Sequence, residues 1–196
     1  MRIDIKKVGV CGAGGTMGAG IAIVAARSGF ETVCFDKSED GLGRAREQTE
    51  VFFCKSVDRG KMAAEDLDAT LERLSASTDI NCLADCDLVV EAVFEDLSVK
   101  RDLLGTLDGI CKPQALFASN TSTLSITEIA AGCERPDRVV GMHFCLPAQL
   151  MKLIEMSPGV NTSDETFAAA WAWTEAAGQR PVRTQDKPGF ILNALL

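Results

Sequence analysis

The chain has no tyrosine and a single histidine, His143. The first absence removes every mechanism that needs a phenol as acid or base. The second removes metal sites built from several histidines, and one histidine with no clustered cysteines argues against zinc-dependent alcohol oxidation. No uninterrupted apolar stretch approaches the ~18 residues of a membrane span. The opening Met1-Arg2-Ile3-Asp4-Ile5-Lys6-Lys7 has neither a long apolar core nor a small-residue cleavage site, so it does not read as a signal peptide. Basic residues are also short, 20 against 28 acidic, for a net charge of −8. General nucleic-acid and anionic-membrane binders need a basic face, so neither partner is expected. A local basic patch for an anionic small molecule remains compatible with that charge.

What is present is an ordinary globular mix: 196 residues, 46% hydrophobic and 24% charged. That suits one domain and a little more, with a core that needs no disulfides. The eight cysteines stand at 11, 34, 54, 82, 86, 111, 133 and 145, several inside apolar runs such as Val33-Cys34-Phe35. With no export signal, they read as reduced, mostly buried thiols of a cytoplasmic protein. Cys82 and Cys86 are the only close pair, with no second pair and no histidine nearby, so no metal site is expected.

Apolar runs alternate with helical stretches. Strands are expected at 7–11, 32–35, 75–78, 87–92, 115–119, 138–144, 150–156 and 181–183. Helices are expected at 16–28, 40–59 (with Gly60 ending it), 64–74, 98–110, 126–131 and 164–177, and another from Phe190 onward. Strands alternating with crossover helices imply an α/β fold, a Rossmann-like, doubly wound and mostly parallel sheet.

The first strand runs into Gly12-Ala13-Gly14-Gly15-Thr16-Met17-Gly18. Glycines let a backbone turn sharply and approach a pyrophosphate, which then rests on the next helix's N-terminus. Asp36 ends the second strand, 18 residues after Gly18. A carboxylate there accepts from both ribose hydroxyls and repels a 2′-phosphate, which favours NAD over NADP. Lys37 beside it pulls the other way. The spacing Gly12-x-Gly14-x-x-x-Gly18 is one residue longer than the usual fingerprint. Gly15-x-x-Gly18 restores the second half but leaves Ala13 as the first glycine, so the register stays open.

His143 closes the run Arg138-Val139-Val140-Gly141-Met142, at the sheet edge where open parallel sheets bind ligands. Glu155 lies twelve residues on, near the end of the next expected strand. Two adjacent strands ending at one edge would bring carboxylate and imidazole together and stabilise the protonated ring. Taken alone, such a pair is more often structural than catalytic. Beside a dinucleotide loop it gains a use, because oxidising an alcohol needs a base for the hydroxyl proton as hydride leaves carbon. Ser119-Asn120-Thr121-Ser122-Thr123 falls at the same edge. Ser122 there is either a donor to a substrate oxygen or part of a hydroxyl-rich helix cap.

Several stretches in order resemble the L-3-hydroxyacyl-CoA dehydrogenase family, nearest its bacterial 3-hydroxybutyryl-CoA branch. They are Phe117-Ala118-Ser119-Asn120-Thr121-Ser122-Thr123-Leu124, Pro136-Asp137-Arg138-Val139-Val140-Gly141-Met142-His143-Phe144 and Met151-Lys152-Leu153-Ile154-Glu155, together with 87–100 and 187–196. The resemblance implies reversible NAD-dependent oxidation of an L-3-hydroxyacyl-CoA. By position it makes His143 the base, Glu155 its partner, and Ser122 a contact of the substrate oxygen and the nicotinamide end. Asn193 would also line the reacting centre. The glycine loop (Gly12, Gly14, Gly15, Thr16, Met17, Gly18), Asp36, Glu95 and Lys100 would meet the cofactor, and Arg59 or Lys61 would hold CoA. It places the NAD domain at 1–186 and, at 187–196, the start of a linker and helix toward an all-helical domain absent from this sequence. That domain forms the dimer in the family. Where the family reads His-Phe-Phe-Asn-Pro, this chain has His143-Phe144-Cys145-Leu146-Pro147, and Leu146 cannot replace an amide's hydrogen bonds. Two other readings are a cofactor module with little activity alone, and a dehydrogenase of free hydroxy acids on the same fold.

Overall fold

The computed structural model describes residues 3–192. The strands are β1 (Lys7–Cys11), β2 (Glu31–Phe35), β3 (Leu74–Ser77), β4 (Leu88–Glu91), β5 (Leu116–Ser119), β6 (Val139–Phe144), β7 (Leu153–Pro158) and β8 (Arg180–Arg183). The helices are α1 (Thr16–Arg27), α2 (Glu39–Asp58), α3 (Glu65–Glu72), α4 (Leu97–Ile110), α5 (Ile126–Ala130) and α6 (Asp164–Ala176). The strands form one sheet in the order β3-β2-β1-β4-β5-β6-β7-β8. All neighbours are parallel except β6 and β7. The expected doubly wound α/β sheet is therefore present, with one antiparallel step.

Burial on both faces explains the continuous apolar strands. Successive side chains point to opposite faces. In β4, Leu88 and Val90 join the core beneath α1 and α6, while Val89 joins the core beneath α4 and α5. Helix α1 is small-residue-rich because nine of its twelve residues are buried. Helix α2 is polar and signalled by its ends: Ser38 Oγ accepts the Gly41 N–H, and Gly60 follows with φ 65°.

Two expectations shift. The seventh strand starts at Leu153, because Leu150 and Met151 both donate their N–H groups to Pro147 O in a turn. A helix from Phe190 is not seen within the described residues, where 190–192 form a turn. The remainder of that expected helix, and Asn193, lie outside them.

Candidate active site

Strand order reverses around β1, whose neighbours are β2 and β4. The crevice at such a point is where open α/β sheets bind ligands. The glycine loop sits there, and its geometry separates the glycines that pack against the protein from the one that does not. Gly12 has φ 77°, and the N–H groups of Gly12 and Ala13 donate to Phe35 O at 3.0 and 3.1 Å. A side chain on Gly12 would meet Ala92 O at 2.6 Å, and one on Gly18 would strike the carbonyl oxygen of Gly12. Gly14 approaches the backbone of Gly41. The three constrained glycines are thus Gly12, Gly14 and Gly18. Gly15 is exposed at the N-cap of α1, with no side-chain cap and no acid in the first turn. At the start of α1, Thr16 is exposed and Met17 half-buried, and the first N–H groups of any helix have no intrahelical partner.

Asp36 is held against this loop. Its Oδ2 accepts the Gly14 N–H and its Oδ1 the Ser38 N–H, each at 2.9 Å. Both bonds aim the carboxylate from the end of β2 along the glycine loop.

His143 and Glu155 meet, but not by the expected route. They are direct partners across the antiparallel β6–β7 pair, so Glu155 stands near the start of its strand rather than the end. Directly opposed residues on antiparallel strands share a face, which delivers the contact without a crossover. His143 Nδ1 lies 2.8 Å from Glu155 Oε2, and Nε2 lies 3.2 Å from Ser122 Oγ. With Nδ1–H donating to the carboxylate, a neutral ring presents Nε2 as acceptor. Glu155 is 2% exposed. Its other oxygen, Oε1, accepts the N–H groups of Ile191 and Leu192 at 2.8 and 3.0 Å. Asn120 Oδ1 accepts the Phe144 N–H at 2.9 Å, tying the Ser122 loop to β6.

Glu95 shapes the same loop. Its Oε1 accepts the N–H groups of Ser122 and Thr123 at 2.7 and 3.0 Å and the hydroxyls of Thr121 and Thr123. Partial burial alone would raise this carboxyl, but the Thr121 hydroxyl and the Lys100 charge outweigh it and hold it below its usual value. Lys100 is 1% exposed. Its ammonium lies 2.9 and 2.8 Å from the two oxygens of fully buried Glu91 and 3.3 Å from Glu95 Oε2. Ser119 Oγ also donates to Glu91. Lys100 therefore reaches the site through Glu95, from beneath it. Glu91 was not among the sequence candidates. The available signal was a carboxylate closing the apolar run Leu88-Val89-Val90.

Arg59 and Lys61 are brought elsewhere. With Arg27, Lys55, Arg73 and Lys152 they line a cleft of ≈ 1010 Å³ that includes neither the glycine loop nor His143. In a chain of net charge −8 this is a local basic patch. Leu146 is 63% exposed beside half-buried Cys145. Among the described residues, no group of three or more His, Cys, Asp or Glu could hold a metal ion. No helix there is long and apolar enough to cross a membrane.

Sheet order, glycine loop and the carboxylate after β2 define a dinucleotide-binding α/β domain with a histidine–carboxylate pair at its ligand edge. Residues 7–187 match the family model described as "3-hydroxyacyl-CoA dehydrogenase, NAD binding domain", and the chain belongs to that family. It is 45% identical over 193 residues to 3-hydroxyadipyl-CoA dehydrogenase of Escherichia coli (strain K12), covering 98% of this chain and 40% of that one. It is 41% identical over 201 residues to human mitochondrial hydroxyacyl-coenzyme A dehydrogenase, covering 100% of this chain and 64% of that one. The crystal structure of (S)-3-hydroxybutyryl-CoA dehydrogenase PaaH1 from Ralstonia eutropha superposes with a TM-score of 0.94 at 35% identity, covering 98% of this chain and 68% of that one. The chain thus spans from two fifths to about two thirds of these relatives. The family identifies its cofactor as NAD.

Proposed function

We propose that this chain serves NAD-dependent, reversible oxidation of an L-3-hydroxyacyl-CoA to the 3-ketoacyl-CoA, with His143 as the general acid and base. The observation that carries the reading is the His143 ring, held at Nδ1 by Glu155 and facing Ser122 at Nε2, on the sheet edge that bears the glycine loop. The residues present fit NAD: a tight turn at Gly12, Gly14 and Gly18 that packs the loop closely under exposed Gly15 at the start of α1, and a carboxylate at Asp36 for ribose hydroxyls. When bound, NAD supplies the hydride acceptor. The chain supplies the rest. His143 Nε2 takes the hydroxyl proton, and Glu155 stabilises the imidazolium that forms. Ser122 Oγ, beside Nε2, donates to the substrate oxygen and orients it. Glu95 holds the Ser122 loop by its backbone and meets the cofactor, with Lys100 supporting it from below. The cations of the Arg59–Lys61 cleft suit the phosphates of CoA. Those phosphates favour an acyl-CoA over a free hydroxy acid.

The test is NADH oxidation followed by absorbance with acetoacetyl-CoA, alongside calorimetric titration of NADH. Turnover is expected, and His143→Ala should lower kcat by about 10²–10⁴-fold with NADH affinity retained. NADH binding without turnover would instead support a cofactor module. Turnover with free 3-hydroxybutyrate and none with the CoA ester would support the free-acid reading.

A further inference from the structure

The stretch from Asp186 to Leu192 has no part in the steps above, yet it touches both halves of the site. At one end Asp186 caps α5. It accepts from Ser125 Oγ at 2.9 Å, Ile126 N–H at 2.7 Å, Thr127 N–H at 2.9 Å and Thr127 Oγ1 at 2.6 Å. Those residues follow the Ser122 loop directly. Helix α5 already has a local cap, since Ser125 Oγ accepts the Glu128 N–H. Asp186 is a second one, supplied from 60 residues further along the chain.

At the other end the backbone turns left-handed, with φ 82° at Gly189 and 45° at Phe190. Successive backbone N–H groups in a turn can point at one acceptor and make a small anion cradle. The anion in it is the Glu155 carboxylate, held through Oε1 by Ile191 and Leu192. Phe190 is itself 8% exposed, with its ring centroid 5.8 Å from that of His143. The groups against His143 are Glu155 from β7, Ser122 from the loop after β5 and Phe190 from this segment, with Cys145 near Glu155.

A glutamate side chain has three rotatable bonds. With His143 as its only partner it could swing away or exchange oxygens. Two backbone donors on Oε1 leave Oε2 as the oxygen that faces Nδ1. A carboxylate held in place against Nδ1 keeps the proton on Nδ1 and the lone pair on Nε2. We propose that Asp186–Leu192 is a positioning strap for the His143–Glu155 pair, anchored on α5 by Asp186 and delivering the Ile191 and Leu192 N–H groups to Glu155. Asp186 and Gly189 are positioning residues that act through Glu155. The inference rests on the proposed reaction only in its kinetic arm.

The single histidine makes the test direct, because ¹⁵N NMR of the full chain reads one imidazole. The wild-type neutral ring is expected as the Nδ1–H tautomer. Asp186→Ala and Gly189→Ala should each give a mixture with Nε2–H, and Asp186→Asn, which keeps an acceptor for the Ile126 N–H, should lie nearer wild type. In turnover, kcat should fall on the order of 10- to 10²-fold in the first two variants, the scale of a small misplacement of a catalytic group, with KM for NADH unchanged. Folded variants that keep the wild-type tautomer would overturn the strap. If Asp186→Ala does not fold, Gly189→Ala reads the same question without touching the cap. Failure of both to fold would also overturn the proposal, because the segment would then serve stability alone. A locked tautomer in a wild-type chain that turns over no 3-ketoacyl-CoA would sink the proposed reaction and leave the strap standing.

Discussion

Lys100→Met is the substitution whose cost the structure fixes best. Lys100 and Glu91 are 1% and 0% exposed, and the ammonium bonds both carboxylate oxygens. Methionine fills much of the same volume but strands the carboxylate, leaving it the Ser119 hydroxyl and the Val93 N–H at 3.2 Å. Removing one member of a buried pair costs about 3–5 kcal/mol, because the other charge is left uncompensated. The lost contact to half-exposed Glu95 adds less than about 1 kcal/mol. For a domain of this size that lowers Tm by roughly 6–20 °C. The deficit should depend on pH. Burial already pushes Glu91 above its ordinary value, against the pull of Lys100. Without Lys100 it rises further. A carboxyl whose folded value exceeds its unfolded value is stabilised in the protonated form, so the deficit is smallest in acid and grows as pH rises through the raised value. Urea denaturation at several pH values measures this. The double variant Glu91→Gln/Lys100→Met, which has no buried charge, should recover most of the loss. A single variant within about 1 kcal/mol of wild type, or a deficit flat from acid to neutral pH, would refute the reasoning.

Asp36→Ala should weaken NADH by about 1.5–3 kcal/mol, the scale of hydrogen bonds to a charged group, and calorimetry showing no change would misplace the adenosine ribose. In thiol labelling, exposed Cys54 should react first. Burial pushes Cys34, Cys86 and Cys133 up to about 12, so these should react far more slowly than Cys54, fully buried Cys86 slowest, and a fast Cys86 would contradict the packing. Burial opposes ionisation of Asp186, but Thr127 and its backbone N–H outweigh it and hold the carboxyl below its usual value. A depressed carboxyl contributes stability above its unfolded value and loses it as pH falls through the folded one. Asp186→Asn should therefore flatten the acid limb of a stability–pH curve below about pH 4, and an unchanged limb would count against the cap.

The layered α/β plan was legible because the strands are buried on both faces and read as continuous apolar runs, Leu88-Val89-Val90 among them. The strand, glycine turn and helix at Lys7–Arg27 were legible because the glycines fall between an apolar run and a small-residue helix, and Asp36 because it closes the second apolar run. The register of the glycine loop was not. Gly14 and Gly15 are alike in composition, and only the proximity of Gly14 to Gly41 and Asp36 separates them. Asp186 was illegible for a related reason: its partners at Ser125–Thr127 are about sixty residues away, and no local pattern marks a cap supplied from there.

The His143–Glu155 pair was found on residue type and spacing, but the strand direction was not. The distinction has a physical consequence. In a parallel pair, side chains near two strand ends depend on a crossover for their register. Across β6 and β7 the backbone hydrogen bonds set the His143–Glu155 register directly, within one antiparallel ladder. The ladder fixes where Glu155 begins, but three side-chain torsions separate its backbone from the carboxylate. The N–H groups of Ile191 and Leu192 close that gap from the opposite side. The sheet therefore sets the distance between the two residues, and the segment ending at Leu192 sets which oxygen the imidazole sees.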